Sequence, residues 1–303
     1  METTNSNHLA AASESPDPAG SVASPTLRRR VLAAELKRLR LAAGLTHVDV
    51  ASRLGWQQGK VSKIETAKQS VGIDAVMALA EVCQASADQR SRLVELARAA
   101  RSRAWWEQYR DVVSRAQQVC VGLEAEADVI RSFAVELVPE LVRVPEYERA
   151  VCAARQRRLD EAPLERRLEW LLRRQRMLLE DHKAEIDIVL AESALRRRVV
   201  EPAAHRAQLR HLLDVIERSG VTVRVLPFEA GALPVDVPFS ILSFCDLPHP
   251  DVAVVAGPVG CTYVEVEEEV ETLRGLMDDL GALALSPRDS VGVIAAAADA
   301  LEE

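Results

Sequence analysis

The chain has 303 residues, of which 48% are hydrophobic, 28% charged and only 4% aromatic. This suits about two domains with aliphatic cores and excludes both a wholly disordered chain and a small scaffold that needs disulfide staples. No apolar run reaches the roughly 18 residues that span a bilayer, and the first residues lack the basic and apolar regions of a secretion signal, so a soluble, cytoplasmic protein without membrane contact is expected. The net charge of -8 argues against a nucleic-acid partner only until it is divided along the chain: residues 1–26 carry -3, residues 27–103 carry +8 and residues 104–303 carry -13.

Residues 1–26 are rich in Ser, Ala, Pro and Asn, show no apolar period and read as a disordered tail. From Arg28 to about Ala100 there is no proline, and apolar residues recur at helical spacing. Leu32, Leu36 and Leu39 predict a first helix ending at Gly44. Thr46 caps a second, His47 to Leu54, which stops at Gly55. A third helix is predicted from about Gln57 to Ala67, a fourth around Ile73 to Cys83 and a fifth around Leu93 to Ala100. The helical pattern continues over Trp105 to about Val119. Beyond it, an extended segment over 123–145 precedes helices at Glu146 to Leu159 and Leu164 to Asp181. A strand at Ala184 to Leu190, a helix at Ala203 to Arg218 and a strand at Val221 to Pro227 follow, then strands near 238–245, 252–256 and 261–266. Helices near 268–285 and 287–301 complete the pattern. The expected architecture is an N-terminal all-α five-helix bundle and a C-terminal mixed α/β (α+β) domain, divided as 1–26 tail, 27–103 bundle, 104–287 regulatory or partner-binding domain and 288–303 C-terminal helix.

Residues 47–66 fit a helix-turn-helix. Two helices cross closely only where the fifth residue is small, the turn needs a residue tolerant of a left-handed backbone, and the second helix must send apolar side chains inward three apart. Ala51, Gly55, Val61 and Ile64 stand at those places, with Leu54 as a further core contact, inside the basic module. Double-stranded DNA is therefore the expected partner, against a helical protein-interaction bundle as the other reading. In such a domain the N-terminal, outward residues of the second helix meet base edges. Gln58, Lys60 and Lys63 lie there, with Ser62 beside them and Gly59 as a point of close approach. Gln reads adenine bidentately and Lys reaches guanine O6 or N7. Thr46, His47 and Gln57 at helix N-termini suit phosphates, as does Lys68 beyond the helix. The run Arg28, Arg29, Arg30 reads equally as further phosphate contacts or as a solvated charge run. Arg40 and Glu65 read as a structural pair, and Trp56 as core filling.

Chemistry-bearing constellations are lacking elsewhere. Gly55 to Lys60 is one residue short of a phosphate loop and follows a helix instead of a strand. Cys83, Cys120, Cys152, Cys245 and Cys261 are an odd number without metal spacing and read as buried free thiols. The histidines are scattered, and no catalytic signature occurs, so no enzyme, metal or cofactor is expected. Phe228, Phe239 and Tyr263 read as core. The strand edges and the turn from Pro139 to Tyr147 are the candidates for ligand sensing.

Residues 32–80, with LTHVDVASRLG and VSKIE, resemble the Xre-type, lambda-repressor-like helix-turn-helix domain. The remainder resembles the sensor-like domain of WhiJ-like regulators of actinomycetes, through Leu123 to Ala127, the PxLxxxPxYxRA run of Pro139 to Ala150, Arg174 to Leu178, Glu192 to Arg196, VTVRVLPF and LSPRDS. That group usually carries Gln where this chain has His47, and Pro-Gly-Leu-Leu-Gln-Thr where it has Pro139 to Val144. The resemblance implies a transcription regulator, often accompanied by a small antagonist protein. The expectation is a homodimeric, nucleoid-associated DNA-binding factor whose C-terminal domain senses a small companion protein or a small-molecule effector, with an antitoxin-like autoregulator as the alternative.

Overall fold

The computed structural model describes residues 27–101, 105–155, 160–181, 184–245, 250–257 and 260–301. The expected tail of residues 1–26 lies outside the described residues.

Five helices form the N-terminal unit: α1 (Leu27–Ala42), α2 (His47–Leu54), α3 (Gln58–Glu65), α4 (Ile73–Val82) and α5 (Ala87–Arg101). Leu32, Leu36 and Leu39 of α1 are buried at helical spacing, and α1 lies against α5 while α2 lies against α3. Gly44 and Gly55, at φ 68° and 64°, end α1 and α2 in the left-handed region that glycine enters without steric cost. The expected continuation of helix over residues 105–119 is corrected. Trp105–Tyr109 forms a 3₁₀ turn, and a new helix, α6 (Arg115–Glu124), starts afresh behind Ser114. The Ser114 hydroxyl accepts from the backbone N–H of Gln117 at 3.2 Å, and the Gln117 side chain accepts from the Ser114 N–H, a reciprocal cap that favours a start over a continuation.

The C-terminal unit is built on a six-stranded mixed sheet of β1 (Val129–Ala134), β2 (Glu185–Ala191), β3 (Thr222–Leu226), β4 (Phe239–Ser243), β5 (Val252–Gly257) and β6 (Gly260–Val264), in the order β3-β2-β1-β4-β5-β6. The β1, β2 and β3 strands are parallel and the rest antiparallel. Parallel pairs need crossovers: α7 (Pro145–Arg155) and α8 (Glu161–Arg176) join β1 to β2, and α9 (Glu192–Arg196) and α10 (Pro202–Ser219) join β2 to β3. Side chains alternate between two cores, as the period of two requires. Phe133, Val189, Leu226 and Ile241 meet Val270, Met277 and Leu280 of α11 (Glu267–Leu283) on one face. Ile130, Ile188, Leu190 and Val225 belong to the other core, with Leu209 and Leu212 of α10 and Ile294 of α12 (Pro287–Asp299). The last helix packs on α10 and β3. Its lead-in covers the β3 edge, where Leu285 N–H donates to the Val225 carbonyl and Val225 N–H donates to Ser290 Oγ, both at 2.8 Å.

Two expectations about single residues fail. Phe228 is 60% exposed, because it stands on a lone 3₁₀ turn where the chain leaves the sheet, and Cys245 is exposed just past β4. Phe239 is core, while Tyr263 is half-buried and donates its hydroxyl proton to the Ala116 carbonyl.

Candidate nucleic-acid interface

The crossing of α2 and α3 rests on Val50, Ala51, Val61 and Ile64, all at most 3% exposed. Gly55 and Trp56 send their N–H groups back to the Ala51 carbonyl, which turns the chain tightly between the helices. With its apolar residues turned inward, α3 presents Gln57, Gly59 and Lys63 to solvent and Lys60 and Ser62 at the margin, with exposed Lys68 three residues past its end. The side chain of Gln58 lies outside the described positions. Ala67, at φ 55°, is a non-glycine in the left-handed region and swings the chain away just before Lys68. A β-carbon added at Gly59 would meet nothing within 4 Å, so the fold leaves its outer surface open.

Trp56 is only half-buried, and the Lys60 ammonium sits 3.8 Å over its ring centroid, a cation–π contact of about 1 kcal/mol at an exposed site. The sequence marked Trp56 as core filling. Trp56 lies in the turn ahead of α3, so no helical spacing in the sequence marks this contact.

Thr46 and His47 have partners within the chain. Thr46 N–H and Oγ1–H both donate to Asp49 Oδ2, at 2.8 and 2.6 Å, and Thr46 Oγ1 accepts from Asp49 N–H at 3.2 Å. The Thr46 hydrogen bonds hold the Asp49 carboxyl below the usual carboxylate range. The Arg40–Glu65 pair expected from the sequence is present and buried: Nε and Nη2 donate to the two carboxylate oxygens at 2.7 and 2.9 Å, and Nη1 donates to the Leu45 carbonyl at 2.6 Å. The same carboxylate faces a third group, since His47 Nε2 lies 2.9 Å from Glu65 Oε2. This contact was missed at the sequence level because it spans 18 residues and two helices.

The arginine run is placed differently from the expectation. Arg28 Nε donates to both Glu126 oxygens at 2.7 Å, and Arg30 pairs with Glu265, so both side chains lie against the sheet domain. Hydrogen bonding to Glu126 raises the Arg28 pKa, and Glu126 also adds a coulombic pull, against the lowering effect of burial.

The stretch from Pro139 to Tyr147, a candidate for ligand sensing, is filled by internal partners. Glu140 receives Arg167 Nη2 at 3.0 Å and Arg174 Nη1 at 2.9 Å. Arg143 donates to Glu148 at 2.7 Å, and Gln208 spans the Val142 carbonyl and the Val144 N–H. Trp170 is buried under Arg167 and Arg174. No helix among the described residues is long and apolar enough to cross a membrane, and no group of three potential metal ligands occurs among them.

Comparison with protein families finds two matches along the chain. A helix-turn-helix domain model matches residues 31–93, and a model described as a domain of unknown function, DUF5753, matches residues 117–296. No curated protein and no solved structure matches the chain significantly.

Proposed function

From a chain that belongs to the DUF5753 family and carries a helix-turn-helix domain ahead of it, we propose a sequence-specific DNA-binding transcription regulator of the Xre type, acting as a homodimer. The single observation that carries this reading is the outward face of α3. Its apolar side is locked against α2, while Gln57, Gly59, Lys60, Ser62, Lys63 and, just beyond, Lys68 remain on the surface of a module with a net charge of +8. A helix held by one face and polar on the other is what entry into a major groove requires. Gln58 and Lys63 are the readers of base edges in this proposal, and Lys68 contacts phosphate.

The DUF5753 domain is the regulatory part; it lies within residues 104–303, whose net charge of -13 repels the DNA backbone and leaves DNA contact to the basic module. A small companion protein or effector acts on that domain from outside, since the polar groups of the Pro139 to Tyr147 stretch are already paired. Genomic occupancy mapping followed by footprinting tests the reading. A protected pseudo-palindrome with half-sites about one helical turn apart is expected. Absence of any protected sequence at moderate salt defeats it.

A further inference from the structure

Resting on the DNA-binding reading above, the geometry points to a proton-linked phosphate contact: we propose that His47 grips the DNA backbone only as the imidazolium, with Glu65 as the group that positions it. The Glu65 carboxylate is fixed by two hydrogen bonds from Arg40 and is 4% exposed at its side chain, so it does not swing away. Its Oε2 lies 2.9 Å from His47 Nε2. A carboxylate only accepts, so this contact places a proton on Nε2. In the neutral ring Nδ1 is then a bare lone pair, which repels a phosphate oxygen. Protonation turns Nδ1 into a donor on a side chain that is 40% exposed, in the first position of α2. That position belongs to the helix which crosses the DNA backbone in helix-turn-helix docking.

The surrounding charges make the proton necessary. On α2 itself the Asp49 carboxylate closes the cap around Thr46, and Arg53 lies in the last turn. Arg40 faces the ring's partner from α1, Glu65 from α3 and the Cys83 thiol from the end of α4. Asp49 is held low by the Thr46 hydrogen bonds, Arg40 is held high by its bond to Glu65, and burial pushes the Cys83 thiol up. Glu65 is already neutralised by Arg40, but a phosphate at the α2 N-terminus comes near the exposed Asp49 carboxylate, which an imidazolium offsets where a neutral imidazole does not. The backbone phosphate in turn favours the protonated ring. Binding therefore takes up a proton, and affinity falls as pH rises.

The test uses the full chain and a fluorescently labelled mixed-sequence duplex of roughly 30 base pairs at roughly 50 mM salt, where backbone contacts dominate. Affinity is expected to fall about tenfold from pH 6 to pH 8, within the limit of one decade per pH unit set by a single proton. His47→Gln, which donates without titrating, flattens the profile, and thermal melts confirm its fold. Calorimetry in two buffers of different ionisation enthalpy should show proton uptake by the parent chain and none by the variant. The same pH slope in His47→Gln, or a flat profile in the parent chain, overturns the proposal. Failure of both proteins to bind DNA at any pH defeats the DNA-binding reading itself, a result distinct from binding without a pH slope.

Discussion

Gly59 sits within α3 at a cost of about 1 kcal/mol relative to alanine, and nothing in the fold crowds the place where a β-carbon would go. Gly59→Ala should therefore stabilise the domain by up to about 1 kcal/mol in thermal or urea melts. On the proposed face it should also weaken DNA binding, because the new methyl projects into the groove. Two measurements of opposite sign on one sample separate the roles, and unchanged affinity removes Gly59 from the interface. Lys63→Ala combined with Gln58→Ala should lose about 1 to 3 kcal/mol of discrimination per base contact, read as a flatter preference across a panel of mutated operators. The exposed position of Lys63 was legible in the sequence, since an outward place on a helix follows from where the apolar residues are. The contact of His47 with Glu65 was not. It depends on how α2 and α3 cross, and no local pattern encodes that angle.

At the scale of elements, capping chemistry and ionic packing decide what periodicity leaves open. The apolar pattern runs on past residue 105, yet the Ser114–Gln117 cap begins a separate helix there. Sequence spacing does not say which carboxylates the arginines of α8 meet. Folded, they form a buried network in which Arg174 spans Glu124 and Glu140, and Arg167 spans Glu140 and Glu148. Burial alone pushes the Glu140 carboxyl up, but the guanidinium groups of Arg167, Arg174 and Arg143 outweigh it and bring the value down from 4.5 to about 2. A depressed carboxylate stabilises the fold above its unfolded pKa and loses that contribution as pH falls through its folded one. Urea melts should therefore show stability declining between about pH 4.5 and 2. Glu140→Gln should shrink that decline while costing about 3 to 5 kcal/mol at neutral pH by stranding buried arginine charge. An acid transition identical in the parent and the variant rules out Glu140 as its source.

Across the whole molecule, the basic and acidic halves are joined by ion pairs. Arg28 reaches Glu126 over 98 residues of chain and Arg30 reaches Glu265 over 235. Both arginines belong to the +8 that points to DNA, yet both are turned toward the sheet domain. Replacing Arg28 and Arg30 together by alanine should leave the salt dependence of DNA binding unchanged, whereas Lys68→Ala should lower the slope of log affinity against log salt by about one. A drop of about two for the double variant places the arginines on DNA. Each of these pairs is partly exposed, so the same double variant is expected to lose about 1 kcal/mol of stability or less.

The sequence by itself determined the five N-terminal helices, the helix-turn-helix within them, the mixed α/β second domain and the outward face of α3. Each of these follows from short-range physics: apolar spacing at 3.6 or 2 residues, a side chain capping an N–H three residues on, and a glycine where the backbone turns left-handed. Only the tertiary structure decided that Arg28 and Arg30 face the second domain, that Pro139 to Tyr147 closes on a buried ionic cluster, and that His47 joins the Arg40–Glu65 pair. Those contacts join residues distant in the chain. They depend on where charged side chains meet once helices and sheet have docked, and charge composition sets how many such groups exist but not which of them pair.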